Sequence, residues 1–240
     1  MNVALIFAGG TGQRMNTRTR PKQFLELHGK PIIIYTIEQF ENHPLIDGIV
    51  VVCLEGWIPT LEREIKKHAI TKVSSIVPGG ATGQESIRKG VFEVERLYPA
   101  DTIVLVHDGV RPLIDEETIT KDIECAEEHG NAITVAPATE TIIQATPDDK
   151  IGTVLDRHSC SMARAPQCFR VGELADAHRQ SLEDGLDDAF VDSCDLMRYY
   201  GHELYMVEGR PENIKITTPD DFYTFRAIMD ARENSQIFGY

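Results

Sequence analysis

The chain has 240 residues, 42% of them hydrophobic and 7% aromatic, enough to close a core of ordinary α/β size. Its 24 Lys and Arg stand against 38 Asp and Glu, a formal charge of −14. A surface so acidic repels polyphosphates and anionic lipid, which speaks against nucleic-acid and membrane partners and leaves room only for a small phosphate ligand in a locally basic pocket.

In chain order, short β-branched runs alternate with longer amphipathic segments. Strands are expected at Val3–Phe7, Ile49–Cys53, Val73–Val77, Ile103–Val106 and Ala132–Val135, because nearly continuous apolar runs of this length suit parallel strands covered on both faces. Helices are expected between them at Ile32–Glu41, Thr60–His68, Glu85–Leu97 and Glu116–Glu128, the last with Asp115 as N-cap and Gly130 as its stop. This alternation predicts a doubly wound, mostly parallel α/β sheet, and with no repeat or low-complexity linker the chain reads as one domain, 1–240. One segment breaks the rhythm. Glu140–Ala145 and Ile151–Leu155, joined by the turn-rich Thr146–Lys150, predict a hairpin inserted at about 139–157. Its apolar Ile142, Ile143, Ile151, Val154 and Leu155 need a surface to pack on, either a partner subunit or the parent domain. Further on come helices near Gly172–Leu182 and Asp192–Tyr200, a strand Glu203–Val207, the stretch Asn213–Thr217, and a final helix opened by Thr218, Pro219 and Asp221.

The first seven residues lack a basic leader, and no stretch approaches the about 20 apolar residues of a membrane span, so the expected location is the cytoplasm. Cys53, Cys125, Cys160, Cys168 and Cys194 are odd in number and contain no C-x-x-C pair, which predicts reduced thiols rather than disulfides or a zinc knuckle.

Three loops could carry chemistry. After the first strand comes Ala8-Gly9-Gly10-Thr11-Gly12-Gln13-Arg14-Met15, followed by Arg18, Arg20, Pro21, Lys22 and Gln23. Glycines leaving a parallel strand let backbone N–H groups approach an anion at the carboxyl edge of the sheet. Met15 stands where the dinucleotide fingerprint needs its third glycine, and no Gly-Lys-Ser/Thr closes a Walker loop. Residues 1–30 hold five cations against Glu26 alone, net +4, so the rest of the chain carries −18. Basicity is thus focused on the glycine loop, which suits a triphosphate, a solvated basic turn being the plainer alternative. The second loop is His107-Asp108-Gly109-Val110-Arg111-Pro112 at the end of the fourth strand, where Asp108 could hold Mg²⁺ or a ribose hydroxyl, and Arg111 could pair with Asp108 or Asp115. His107-Asp108 would also open a metal hydrolase, but no other His cluster has ligand spacing. The third is Pro78-Gly79-Gly80-Ala81-Thr82-Gly83-Gln84-Glu85-Ser86, whose glycines permit the close approach of a flat base. Thr141, Arg157, Asp192 and Lys215 are further polar candidates.

Taken together, Ala8-Gly9-Gly10-Thr11-Gly12-x-Arg14-Met15, Pro21-Lys22-Gln23-Phe24, Gly79-Gly80, His107-Asp108-x-x-Arg111-Pro112, Ala165-Pro166-Gln167 and Asn213-Ile214-Lys215-Ile216-Thr217 span essentially the whole chain. In this order the set resembles the cytidylyltransferases that activate polyol phosphates, ribitol 5-phosphate or 2-C-methyl-D-erythritol 4-phosphate. The resemblance implies CTP as substrate, Mg²⁺, and a homodimer whose arm at 139–157 completes the neighbour's acceptor site. It implies that Arg14 and Lys22 hold the triphosphate and stabilise the α-phosphorus. Ala8, Gly9, Gly10, Gly12, Gly79, Gly80 and Ser86 would line the nucleotide. Asp108 would contact cytidine or acceptor and the metal, and Arg111 would brace its loop. Thr141 and Arg157 would grip the acceptor phosphate from the partner subunit, Asp192 would lie on the acceptor side, and Lys215 would serve near the acceptor and the α-phosphate.

Four departures from the family pattern stand out. Gly83 takes the place of a common Arg, Gly109 of an Ala or Ser, Ala165 of the Thr in Thr-Pro-Gln, and Val191 of the Thr before Asp192. Val110 and Ile214–Pro219 look more like the ribitol-phosphate branch, which implies CDP-polyol for teichoic-acid or capsular polymers. The methylerythritol branch would imply isoprenoid precursors. A nucleotide-binding module that has lost catalysis is the alternative of another class, opposed by the presence of Arg14, Lys22, Asp108 and Lys215.

Overall fold

The computed structural model describes residues 1–10 and 20–238. Its centre is a seven-stranded sheet, ordered β11-β7-β10-β6-β1-β4-β5. These strands are β1 (Asn2–Ala8), β4 (Gly48–Cys53), β5 (Val73–Pro78), β6 (Ile103–Asp108), β7 (Asn131–Pro137), β10 (Ser161–Arg170) and β11 (Met206–Glu208). β1 pairs in parallel with β4 and β6, β4 with β5, and β7 with β11, while β10 runs antiparallel between β6 and β7. The expected α/β fold with a mostly parallel sheet is therefore present, with one inverted strand inside it.

The helices are α1 (Ile32–Glu41), α2 (Ile58–Lys67), α3 (Gly83–Leu97), α4 (Glu116–His129), α5 (Val171–Glu183), α6 (Ser193–Tyr199) and α7 (Pro219–Phe238). Strand side chains alternate between two apolar layers. Ala4, Ile6, Ile49, Val51, Ile103 and Leu105 pack with α1 and α4 residues, and Val3, Leu5, Val50, Val52, Val104 and Val106 pack with α3, α5 and α6 residues. This alternation fixes the chemistry at the end of β6. His107 falls on the α1 side, its ring 5.0 Å from Phe40, and Asp108 falls on the opposite side.

Caps match the sequence: Asp115 accepts from the Thr118 N–H, and Gly130 ends α4 at φ 85°. Asp221 accepts from the Thr217 and Thr218 N–H groups and closes the start of α7. The five cysteines form no disulfide.

Three parts of the fold differ from the sequence reading. β10 was unforeseen because Pro166 interrupts it, with a cis Ala165–Pro166 bond and a register shift between Ala163 and Gln167. Being antiparallel, it delivers residues 163–167 to the carboxyl edge of β6, where its parallel neighbours end. A two-stranded pair, β2 (Glu26–Leu27) with β3 (Lys30–Pro31), also lies where no element was expected. The expected strand Glu203–Val207 is shorter and shifted, Met206–Glu208.

The hairpin is present as β8 (Ile142–Ala145) paired with β9 (Ile151–Leu155) in a sheet of its own. It does not fold back on its domain: every residue of β9 is exposed, including Ile151 at 67% and Val154 at 60%.

Candidate active site

Glycines let the loops after β1 and β5 meet. A Cβ on Gly9 would lie 2.7 Å from Ser86 Oγ, and one on Gly79 would lie 3.1 Å from Gly9 Cα, so any side chain at either position would push the loops apart. Ser86 sits in the first turn of α3, accepts from the Gly80 N–H at 2.9 Å and donates to the Thr82 carbonyl at 2.8 Å. Its hydroxyl thus ties the third loop together at the edge of the cavity described below. Thr82 caps α3, and Glu85 reaches back to the Ala81 N–H, which leaves the helix N-terminus facing the same space.

Gln23, 1% exposed, donates to the carbonyls of Ala8 at 2.6 Å and Gly10 at 3.2 Å. Phe24 beside it is buried against Trp57, ring centroids 4.6 Å apart. These two anchors hold the short 3₁₀ turn Lys22–Phe24 so that Lys22 lies on the wall of the cavity. Nothing local in Pro21-Lys22-Gln23-Phe24 marks Gln23 and Phe24 as the anchors of this turn. Arg14 and Gly12, expected in this loop, lie outside the described residues.

The resulting cavity, about 470 Å³, is lined by Ala8, Gly9, Gly10, Lys22, Gly80 and Ser86, together with Asp108 and Lys215. Gly79 lies behind it, against Gly9. A second cavity of about 310 Å³ adjoins it, lined by Arg111, Arg164, Ala165, Gln167, Val191 and Asp192. Phe7, Gly83, Asp108 and Lys215 line both. Arg111 lines the second cavity and, paired with Asp108, braces the loop that ends β6.

Asp108 is the hinge between them. Its Oδ1 is 2.6 Å from Lys215 Nζ, and its Oδ2 accepts from Arg111 Nε at 2.7 Å. Burial alone would raise its pKa, but the two cations prevail and hold it down to about 2. Lys215 is aimed by its neighbours: Asn213 Nδ2 donates to the Ala165 carbonyl at 2.7 Å, and the Ile216 N–H donates to the Val110 carbonyl at 2.9 Å. With Asn213 and Ile216 buried, this stretch is held at both ends, and Lys215 within it is exposed and reaches Asp108. His107, fully enclosed, lies within 3.1 Å of the Arg111 carbonyl, and burial pushes its pKa down to about 4. It braces the 108–111 turn from the α1 side of the sheet and lines neither cavity.

Asp108 is also the one acidic residue among the described residues lining the first cavity. The His and carboxylate atoms that lie at metal-ligand spacing among the described residues belong to His28, Asp230 and Glu233, none of which lines either of these cavities. With both Asp108 oxygens already facing cations, the residues fit a Mg²⁺ carried on triphosphate oxygens and touching one carboxylate at most. They do not form an all-protein cage.

Asp192 borders the second cavity but spends its carboxylate on structure, accepting from the Asp195 N–H and from Gln167 Nε2 at 2.8 Å. Thr141 and Arg157 are exposed on the arm and line neither cavity of their own chain. Gly109 is not a loosened spot: a Cβ there would lie 2.9 Å from that of Ala8, and its N–H donates to the Phe7 carbonyl. Around Gly83, by contrast, a Cβ would meet open space, so the missing side chain widens the passage between the cavities. Arg164 and Gln167 were missed as site residues, because only the unforeseen β10 brings them here.

The family model for IspD, 2-C-methyl-D-erythritol 4-phosphate cytidylyltransferase, matches residues 2–231. The chain is 50% identical over 239 residues, all of both chains, to the ribitol-5-phosphate cytidylyltransferase of Vibrio parahaemolyticus. It is 36% identical to the 2-C-methyl-D-erythritol 4-phosphate cytidylyltransferase of Clostridium acetobutylicum, covering 95% of this chain and 97% of that one. The crystal structure of the Francisella tularensis 2-C-methyl-D-erythritol 4-phosphate cytidylyltransferase is similar with a TM-score of 0.76 at 26% identity, covering 94% of this chain and 99% of that one.

Proposed function

Since the chain belongs to the IspD family of cytidylyltransferases, and so is a nucleotidyltransferase, we propose that it transfers CMP from CTP to D-ribitol 5-phosphate, giving CDP-ribitol and pyrophosphate. The observation that carries the transfer is the pair of adjoining cavities sharing Lys215 and Asp108, one walled by glycine loops and the other by cations. The choice of acceptor is supported by 50% identity to a ribitol-5-phosphate cytidylyltransferase against 36% to a methylerythritol-phosphate one.

In the reaction an acceptor phosphate oxygen attacks the α-phosphorus of CTP in line. The new P–O bond forms as the bond to the β-phosphate breaks, and pyrophosphate leaves with its electron pair. A phosphate monoester is already a competent nucleophile, so no strong general base is required, and catalysis is positioning plus charge stabilisation. Lys22 and Arg14 serve the triphosphate, the glycine loops supply backbone N–H groups, and Lys215 stands at the boundary where the two phosphates meet. Asp108 holds Lys215 and Arg111 in place and is the residue that would touch Mg²⁺. Mg²⁺, when bound, neutralises triphosphate charge and helps the pyrophosphate leave.

The whole chain, 1–240, acts as one catalytic domain in the cytoplasm and as a homodimer. Thr141 and Arg157 of one subunit's arm reach the partner's acceptor site. The product would feed teichoic-acid or capsular polymer synthesis. The test is pyrophosphate release with CTP and Mg²⁺ over a panel of polyol phosphates. Release with ribitol 5-phosphate is expected, while release with 2-C-methyl-D-erythritol 4-phosphate alone would move the protein to isoprenoid precursors. Silence throughout, with CTP bound, would favour a module without catalysis.

A further inference from the structure

The second cavity holds a cation that none of the roles above uses. Arg164 is half-buried on β10, and its Nη1 donates to the carbonyls of Pro211 at 2.7 Å and Asn213 at 3.1 Å, with a longer approach to Arg210. The Asn213 carbonyl also accepts from Arg111 Nη1 at 3.0 Å, so two guanidinium groups converge on one oxygen. Among the described residues no carboxylate forms an ion pair with Arg164, and Glu212 is the acid whose field reaches it. Burial and the like charge of Arg111 both lower its pKa. Across the cavity wall, Arg111, Arg164 and Lys215 face Asp108 and Asp192. Asp108 is matched by Arg111 and Lys215, and Asp192 by the α6 N-terminus and Gln167.

A guanidinium brought into a cavity, fastened by one nitrogen to fixed carbonyls and left without a counter-anion, is arranged to receive an anion with its remaining N–H groups. The cavity opens onto the nucleotide side through Lys215, so an anion bound by Arg164 would lie next to the α-phosphate. We propose that Arg164 binds the phosphate of the acceptor from within the same subunit and, together with Lys215, presents it to the α-phosphorus. This assignment rests on the polyol-phosphate reading above and deepens it, adding a phosphate ligand contributed in cis beside those expected from the partner's arm.

The test compares Arg164→Gln, which keeps an amide donor for the Pro211 and Asn213 carbonyls but removes the charge, with Arg164→Lys. In steady-state assays with CTP and ribitol 5-phosphate, R164Q is expected to raise the acceptor KM by about 10-fold to 100-fold, the worth of a charged hydrogen bond. The KM for CTP should stay within about 2-fold, and R164K should recover part of the loss. Inorganic phosphate should compete with the acceptor in the wild type and lose that competition in R164Q. Equal rises in both KM values, a fall in kcat alone, or unchanged phosphate inhibition in R164Q would overturn the assignment and leave Arg164 as a clamp on residues 210–213. If the wild type turns over a different polyol phosphate, the acceptor reading fails while the same comparison with that acceptor still decides Arg164. If it turns over none, ³¹P titration of the CTP-loaded protein with inorganic phosphate decides it: binding weakened in R164Q supports the assignment, and binding unchanged or absent in the wild type overturns it.

Discussion

Asp108 shows how one buried carboxylate can organise a site without taking part in proton transfer. Its charge is fully matched by Lys215 and Arg111, at 2.6 and 2.7 Å, so its first effect is to fix where those cations point. Asp108→Asn would release Lys215 and leave two cations facing each other across the cavity. The expected loss in kcat is about 10²-fold to 10³-fold, as for removal of a preorganised electrostatic contact, checked by steady-state kinetics on a variant shown to be folded by circular dichroism. Because its pKa is held down to about 2, Asp108 stays ionised throughout the assay range. An acidic limb in kcat/KM near pH 6 then belongs to the second ionisation of the acceptor phosphate, and it should be unchanged in position in D108N. The same depressed pKa stabilises the fold at every pH above the unfolded value near 4, and that contribution is lost as pH falls from about 4 to 2.

At the scale of elements, α4 packs on β7 through Asp122, which is fully buried and accepts from Thr134 Oγ1 at 2.7 Å. Burial raises its pKa to about 8, so the folded protein binds a proton there that the unfolded chain has released above pH 4. Stability should therefore fall as pH rises from about 4 to 8. Asp122→Asn removes this dependence, and its stability relative to the wild type should improve by about 4 kcal/mol between pH 5 and pH 8 in urea melts. Most elements were legible in the sequence because each carried an apolar period, some with a cap as well: α1 has the bounds its apolar pattern gave, and α4 runs between its caps Asp115 and Gly130. β10 was illegible because a strand inverted within a parallel sheet and broken by Pro166 has neither a continuous apolar run nor a clean alternation. The site shared that fate. Asp108, Lys22 and Lys215 were readable from their loops, while Arg164 and Gln167 depend on a strand pairing that no local signal announces. Gln23 could have been found as a buried amide between a glycine loop and a buried Phe24, a type of residue that usually ties backbone.

For the molecule as a whole, acidity and basicity are divided between surface and site. The chain carries −14 in total, yet Lys22, Arg111, Arg164 and Lys215 gather along the two cavities. An exposed two-stranded hairpin with Ile143, Ile151, Val154 and Leu155 open to solvent is marginal by itself, which is the physical case for a partner subunit. If arms are exchanged, Arg157→Ala and Lys215→Ala are each nearly inactive alone. Unfolding and refolding them together in equal amounts should restore about a quarter of wild-type activity, because half of the dimers are mixed and each mixed dimer keeps one intact site. No recovery would mean that the arm serves its own chain. The central claim is tested most directly by incubating the protein with [α-³²P]CTP, Mg²⁺ and ribitol 5-phosphate and separating the products. The account predicts label in CDP-ribitol, with one pyrophosphate released for each, and label confined to CTP or appearing only in CMP would contradict it.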